Sequence, residues 1–405
     1  MTAPTLTHPF ADALPELAAP IESTDFPGAS LVVLNEPLAA ELGLDVDWLR
    51  SPEGVQWLAG AQGGHATAYA GHQFGQFSPL LGDGRALLLG TLPTAEGDRE
   101  IQLKGSGRTP FSRPHADGVG AIGPMLREYL VSEHMHAIGV PTTRSLAVLS
   151  TGQKVIRQKG AVPGGIVVRV AISHLRVGTV QYAAMKSEEL TAKVVKYAGY
   201  GDAAELLDTV MDRQTDLVAQ WMRYGFVHGV MNTDNTALSG ETIDYGPCAF
   251  TERFEARAKF SSIDTGGRYA FGNQPNIIAW NMARLGEALV PLIGLEETQE
   301  QLMTIQQKWD AAWAKWIGDD HEGLNTAKDI ATYNREHGVL GNPGPVFIPR
   351  NLMLQEAIDD AELRGDYEKY FALLAAVTDP YNEKAGPEWM ARPEGQQPFI
   401  TFCGT

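Results

Sequence analysis

Two aspartates, two asparagines and a histidine fall within nineteen residues, His228 to Gly246 (HGVMNTDNTALSGETIDYG). Ala237–Ser239 and Thr242–Asp244 flank Gly240-Glu241, a pattern that predicts a short hairpin with a polar loop before it and Asp-Tyr-Gly after it. The ends of a hairpin meet, which would bring Asp234 and Asn235 close to Asp244. Oxygen ligands converging in this way suit a hard cation such as Mg²⁺, which keeps waters and borrows phosphate oxygens. A carboxylate beside that cation can take a proton from a hydroxyl nucleophile. The plain alternative is an Asn/Asp-rich turn, because these residues favour turns through local hydrogen bonds.

The elements that would position these groups come earlier in the chain. Gly82-Asp83-Gly84 followed by Arg85-Ala86-Leu87-Leu88-Leu89 predicts a tight turn entering a strand. Glycine lets a backbone approach phosphate closely, and Arg85 can pair with it. Glu100–Lys104 alternates as a strand ending in Lys104. A glycine turn, a strand, a loop and a second strand ending in lysine is the order protein kinases use over ATP phosphates. After a polar loop containing Asp117-Gly118, Pro124 opens a predicted helix closed by Gly139. On that helix Glu128 is the natural ion-pair partner of Lys104. Strands are predicted over 145–149, 155–158 and 166–170. Arg169 and Arg176 then flank Ala-Ile-Ser-His-Leu, as candidate fork-shaped phosphate ligands or as structural ion pairs.

Residues 1–30, with five prolines, read as an extended arm; 31–34 read as a strand and 37–44 as a helix. From Ser187 onward the pattern turns helical, with further helices expected over 276–293, 297–317, 325–337, 351–364 and 366–377. The expected fold is therefore α+β and two-lobed, strand-rich first and helical second, with the site in the cleft. The division expected is an N-terminal extension (1–65), an N-lobe (66–182) and a C-lobe (183–405) carrying the 228–246 hairpin.

The formal net charge of −17 argues against a nucleic-acid binder, so any phosphate must be held by a local basic pocket. The two cysteines, Cys248 and Cys403, are too few for a disulfide framework and fit a reducing compartment. There is no apolar run of membrane-spanning length, and the first twenty residues do not read as a signal peptide. The expectation is a cytoplasmic monomer, with no nucleic-acid or membrane partner.

Several stretches together resemble the selenoprotein O (SelO) family of protein-kinase-like adenylyltransferases. They are GHQFGQFSPLLGDGRA (71–86), QLKGSGRTPFSR (102–113), REYLVSEHMHAIGVPTTRSL (127–146), RVAISHLRVG (169–178), HGVMNTDN (228–235), TIDYGP (242–247), GRYAFGNQP (267–275) and AWNMARLGEAL (279–289). The resemblance implies a bilobal kinase-like fold that binds ATP flipped, with the γ-phosphate inward and the α-phosphorus facing the acceptor. It implies AMP transfer to a Ser, Thr or Tyr hydroxyl of a protein, with release of pyrophosphate. By motif, it assigns Gly82, Gly84, Arg85, Lys104, Asp117 and Gly118 to the nucleotide, with Lys104 paired to Glu128. It assigns Arg169 and Arg176 to the terminal phosphate, Asp234 as base, and Asn235 and Asp244 to Mg²⁺, with Mn²⁺ as a second candidate. Cys403 stands where some members carry selenocysteine. No arginine lies between Gly118 and Arg127, where members usually have an Arg-rich segment. The same residues would serve an ordinary phosphotransferase, and a non-catalytic pseudokinase scaffold is the alternative without chemistry.

Overall fold

The computed structural model describes residues 3–157, 160–384, 394–395 and 399–402. Its strands are β1 (Ala18–Ile21), β2 (Ser30–Leu34), β3 (Gly64–Thr67), β4 (Gly71–Gln73), β5 (Gln76–Ser78), β6 (Ala86–Leu92), β7 (Arg99–Lys104), β8 (Gly120–Ala121), β9 (Arg144–Arg157), β10 (Gly160–Ala171), β11 (Phe226–Val227) and β12 (Ala249–Phe250). One antiparallel sheet runs in the order β1-β3-β6-β7-β10-β9-β2, with β8 added against β10. The strands predicted over 145–149 and 155–158 are a single long strand, β9, bulged against its neighbour β10.

The first thirty residues are not an extended arm. They form helix α1 (Pro9–Ala13), a 3-10 turn (Pro15–Leu17) and β1, with Phe10, Leu14 and Leu17 buried in the core. Proline begins both turns, where its missing N–H costs nothing. Helices α2 (Glu36–Glu41), α3 (Val46–Arg50) and α4 (Pro52–Leu58) follow, each capped at its start by an Asn, Asp or Ser side chain.

Helix α5 (Ile122–Ala137) lies between the sheet and the C-terminal helices, and almost its whole length is buried. Its first turn has no side-chain cap of its own; Glu362 accepts from Gly123 N at 3.1 Å instead. Tyr370 donates to Leu126 O at 2.9 Å, and Arg127 to Gln355 at 2.7 Å. The helical half contains α6 (Val177–Lys186), α7 (Glu188–Tyr197), α8 (Ala203–Tyr224), α9 (Gln274–Ile293), α10 (Leu295–Met303), α11 (Ile305–Trp316), α12 (His321–Thr326), α13 (Ile330–His337), α14 (Asn351–Asp359) and α15 (Glu368–Thr378). Asp202 caps the start of α8, and Gly225 ends it in the left-handed region, φ 73°. A strand-rich N-terminal region and a helical C-terminal region make this the α+β, two-lobed, kinase-like arrangement. No helix among the described residues is long and apolar enough to cross a membrane.

The hairpin predicted over 228–246 does not form. Thr233–Asn235 is a 3-10 turn, and the two would-be strands find partners elsewhere: Ala237 bridges to Arg176 and Thr242 to Thr142. Gly240 still closes a turn, donating to Ala237 O at 3.2 Å. A three-residue pair buries too little to hold itself, so the segment takes its backbone partners from flanking elements.

Candidate active site

Lys104 ends the central strand β7, and α5 carries Glu128 across from it. Lys104 Nζ lies 2.5 Å from Glu128 Oε2. The pair is part of a larger group: Arg169 Nε binds the other oxygen of Glu128, and Lys104 Nζ also binds Asp244 Oδ1. Arg169 Nη2 lies 3.7 Å from Asp244 Oδ1. Two cations and two carboxylates are thus interleaved, and Glu128 is only 1% exposed. Burial opposes ionisation of Glu128, but Arg169 and Lys104 outweigh it and hold its carboxyl below the usual range. The same balance holds Asp244 well below the carboxylate range, with Lys104 and Arg169 overcoming burial.

The network continues into the glycine turn. In the β7–β10 register Arg169 stands opposite Gln102, whose Oε1 accepts from Arg169 Nη1 at 3.3 Å. Gln102 Nε2 donates to Asp83 Oδ2 at 3.3 Å, and that oxygen also accepts from Thr67 N (2.9 Å) and Thr67 Oγ1 (2.7 Å). Asp83 therefore fixes the turn formed by Gly82, Gly84 and Arg85. Gly82 sits at φ 62° against the Phe111 ring, and Arg85 O accepts from Gly105 N at 2.7 Å. Neither Asp83 nor Gln102 stands out in the sequence; only the strand register exposes their role.

Asp234 lies in the 3-10 turn beside Arg176. Arg176 Nη1 donates to Asp234 O at 3.0 Å and Nε to His174 O at 3.2 Å, with the guanidinium 4.4 Å from the Tyr69 ring centre. Asp234 Oδ2 accepts from Gln73 Nε2 at 3.3 Å. Asp234 Oδ1 and Arg176 Nη2 are buried without a hydrogen-bond partner among the described residues. Burial pushes the Asp234 carboxyl up to about 6, against the opposing pull of Arg176. Backbone approaches closely on both sides. A Cβ on Gly71 would stand 2.5 Å from Asp234 Oδ1, and one on Gly178 would run into Ala70 O.

The β4–β5 hairpin covers this aspartate. Its turn, Phe74-Gly75, has both residues at positive φ (53° and 81°), as the favoured two-residue hairpin turns require. A closed ring of hydrogen bonds ties it down. His72 N donates to Thr233 Oγ1 (2.7 Å), which donates to Gln181 Oε1 (2.8 Å), while Gln181 Nε2 donates to His72 Nδ1 (3.0 Å). Phe74 N donates to the Tyr269 hydroxyl (3.0 Å), and that hydroxyl donates to Asn232 Oδ1 (2.5 Å). His72, Gln73, Gln181, Thr233 and Tyr269 escaped sequence reading because only long-range pairing brings them here.

His228 links the two aspartate segments. Its Nδ1 accepts from Val230 N at 3.4 Å and its Nε2 donates to Ile243 O at 2.9 Å, which fixes one neutral tautomer; burial lowers its pKa. Asn235 Nδ2 donates to Val230 O at 3.0 Å. Asp244 takes a left-handed backbone, φ 68°, and its side chain is 29% exposed. No cluster of three His, Cys, Asp or Glu side chains suited to a metal occurs among the described residues. Asn235 and Asp244 are instead one amide and one carboxylate, a sparse set of the kind Mg²⁺ accepts when phosphates and waters complete its shell.

Asp117 is engaged by Arg157, whose Nη1 and Nη2 each lie 2.9 Å from a carboxylate oxygen. Gly118, φ 74°, passes so close to Gly107 that a side chain would not fit. Cys248 is a buried free thiol donating to Tyr245 O at 3.2 Å; Cys403 lies outside the described residues. A groove of about 530 Å³ between α8 and α11 is lined by Asp208, Asp212, Asp216, Lys308 and Lys315. Each of its aspartates is ion-paired to a lysine at 2.7–2.9 Å, so it lacks the unpartnered buried groups of the cleft around Asp234.

A family model described as protein adenylyltransferase SelO matches residues 5–332. A protein nucleotidyltransferase YdiU of Corynebacterium efficiens is 44% identical, with 99% of this chain and 96% of that one covered. YdiU proteins of Corynebacterium glutamicum (44%; 98% of each chain) and Mycolicibacterium smegmatis (43%; 99% and 98%) are similar to it in the same way. The chain belongs to the SelO family of protein adenylyltransferases. The first of these alignments runs over 477 positions against 405 residues here, so it includes segments this chain lacks.

Proposed function

We propose that this protein transfers AMP from ATP to a Ser, Thr or Tyr hydroxyl of a protein acceptor, releasing pyrophosphate. The observation that carries the reading is the insertion of Arg169 into the buried Lys104–Glu128–Asp244 group, with Arg176 beside Asp234. Lys104 and the two arginines supply positive charge where a leaving pyrophosphate develops its own. A kinase transferring the γ-phosphoryl group needs its charge stabilisation centred on that group instead.

In this reading Asp234 takes the acceptor proton. The hydroxyl oxygen bonds to the α-phosphorus as the bond from that phosphorus to the bridging oxygen breaks. Lys104, Arg169 and Arg176 bind the departing pyrophosphate. Gly82, Gly84 and Arg85 hold the nucleotide in the turn braced by Asp83, and the backbone of Asp117 and Gly118 borders it. Asn235 and Asp244 would hold Mg²⁺ or Mn²⁺, which when bound neutralises phosphate charge. The unpartnered Asp234 Oδ1 and Arg176 Nη2 support these roles, since each is a buried group whose hydrogen bond awaits a ligand. The protein acts as a cytoplasmic monomer with no nucleic-acid partner.

Intact mass of the protein and of a generic protein acceptor after incubation with ATP and Mg²⁺ tests the proposal, run beside Asp244→Ala. An AMP-sized adduct absent from the variant is expected. A phosphate-sized adduct would establish a kinase and remove the role given to Arg169 and Arg176.

A further inference from the structure

The stretches GRYAFGNQP (267–275) and AWNMARLGEAL (279–289) take no part in the transfer described above, yet they meet beside it. Arg268 stacks over Trp280 with its guanidinium 4.7 Å from the ring centre, and Arg284 stacks on the same ring at 5.0 Å. Arg284 is neutralised by Glu287 at 2.5 Å. Among the described residues no carboxylate pairs with Arg268 side-chain nitrogens, in a chain of net charge −17. An arginine left unpaired amid that excess of acid is a site for an external anion.

Its position says which anion. A Cβ on Gly75, at the tip of the β4–β5 hairpin, would stand 3.3 Å from Arg268 Cζ. The same hairpin carries Gln73, which binds Asp234. Arg268 also lies over Tyr269, its guanidinium 5.8 Å from the ring centre, and the Tyr269 hydroxyl donates to Asn232, two residues before Asp234. Lys104, Arg169 and Arg176 gather instead on Glu128, Asp244 and Tyr69. Arg268 thus belongs to the side of Asp234 on which the hairpin lies. That hairpin turns Phe77 (45% exposed) outward, and Leu80 (48%) follows it.

We infer that Arg268, held flat by Trp280, is an acceptor-recognition residue: it binds a carboxylate of the acceptor protein close in sequence to the hydroxyl that receives AMP. The inference rests on the AMP-transfer reading and adds a specificity to it. Opposite charge at this point favours acidic acceptor segments, and like charge excludes basic ones.

Synthetic peptides with a single Ser, Thr or Tyr, flanked at successive positions by Asp, Ala or Lys, test it through kcat/KM for AMP addition. Wild type is expected to use Asp-flanked peptides better than Lys-flanked ones by on the order of tenfold. Arg268→Glu reverses the order, Arg268→Lys keeps it, and Arg268→Gln, which keeps a flat polar group over Trp280, levels it. The thermal shift given by ATP and Mg²⁺ stays the same in all three variants, which shows that they fold. Equal use of all peptides by wild type overturns the inference, as does a preference that survives in Arg268→Glu. Weaker inhibition by pyrophosphate in Arg268→Gln overturns it too, by assigning Arg268 to the leaving group. If wild type binds ATP but modifies none of the peptides, the AMP-transfer reading itself falls.

Discussion

Asp234 and Asp244 share one site and are driven to opposite ends of the carboxylate range. Burial raises Asp234 to about 6, with Arg176 only partly offsetting it; at Asp244, Lys104 and Arg169 overcome burial and hold the carboxyl far down. A carboxylate near 6 can accept a proton at neutral pH, and one held far below stays an anion able to bind a cation.

The raised group sets a pH profile. Transfer is expected to climb about tenfold per pH unit below about pH 6 and to level above it, as Asp234 loses its proton. Asp234→Asn should bind ATP normally and lose ~100-fold to 10,000-fold in rate. The same change should stabilise the fold. The folded pKa lies above the ordinary aspartate value of 3.8, so the native state holds its proton more tightly, and stability falls as pH rises from 3.8 through about 6. Removing the charge should therefore add ~2–3 kcal/mol at neutral pH, an advantage that fades toward pH 4. Melting curves of both proteins across this range would show it; an Asn variant less stable than wild type at pH 8 would contradict it.

Glu128 carries the opposite sign. Its folded pKa is depressed by Arg169 and Lys104 against burial, so its contribution is present above the unfolded carboxyl range and is lost as pH falls. Glu128→Gln leaves two buried cations to share Asp244 and should cost ~3–5 kcal/mol at neutral pH. In urea unfolding the gap between the proteins should close on acidification. A gap that stays constant down to pH 3 would mean the loss comes from packing rather than charge.

Gln73 acts on the base through one hydrogen bond to Asp234 Oδ2. That bond favours the ionised form, so Gln73→Ala should move the acid limb of the rate profile to higher pH while leaving ATP affinity alone. An unshifted limb with a uniformly lower rate would show that Gln73 only supports the hairpin.

Gly71→Ala places a methyl group 2.5 Å from Asp234 Oδ1, and the base or the hairpin has to give way. Misplacement on this scale costs on the order of 100-fold in rate. Single-turnover transfer should fall by that amount with ATP binding within a few-fold of wild type. Full activity in this variant would mean that Asp234 has room to adjust.

Local pattern was enough to read β7 ending at Lys104, α5 as the helix carrying Glu128, and Arg169 in an apolar strand, because each depends on neighbours within a few residues; the pairing of Glu128 with Lys104, 24 positions apart, was legible only through the kinase-like order of elements. It also led to the family through motifs, and the family model agrees. The hairpin over 228–246 failed because its strands pair with Arg176 and Thr142, far away in the chain. The bracing contacts of Asp83 and Gln102 and the approach of Gly71 to Asp234 were illegible for the same reason: what makes each matter is a partner some twenty to over a hundred and sixty residues distant. The pairing of Asp117 with Arg157 likewise depends on where the tip of β9 lands.

Both edges of the large sheet are closed by the start of the chain: β1 against β3, and β2 against β9, with Ser30 opposite Ser150. On a ribosome adding about 5–20 residues per second, the Ser-Leu-Val-Val-Leu strand waits roughly 6 to 24 seconds for its partner to be made. Throughout that interval the nascent chain presents an apolar strand with an open edge. The sheet edge at β2 is thus completed only after the polypeptide has grown past β9, so one of the first strands made is among the last to be paired.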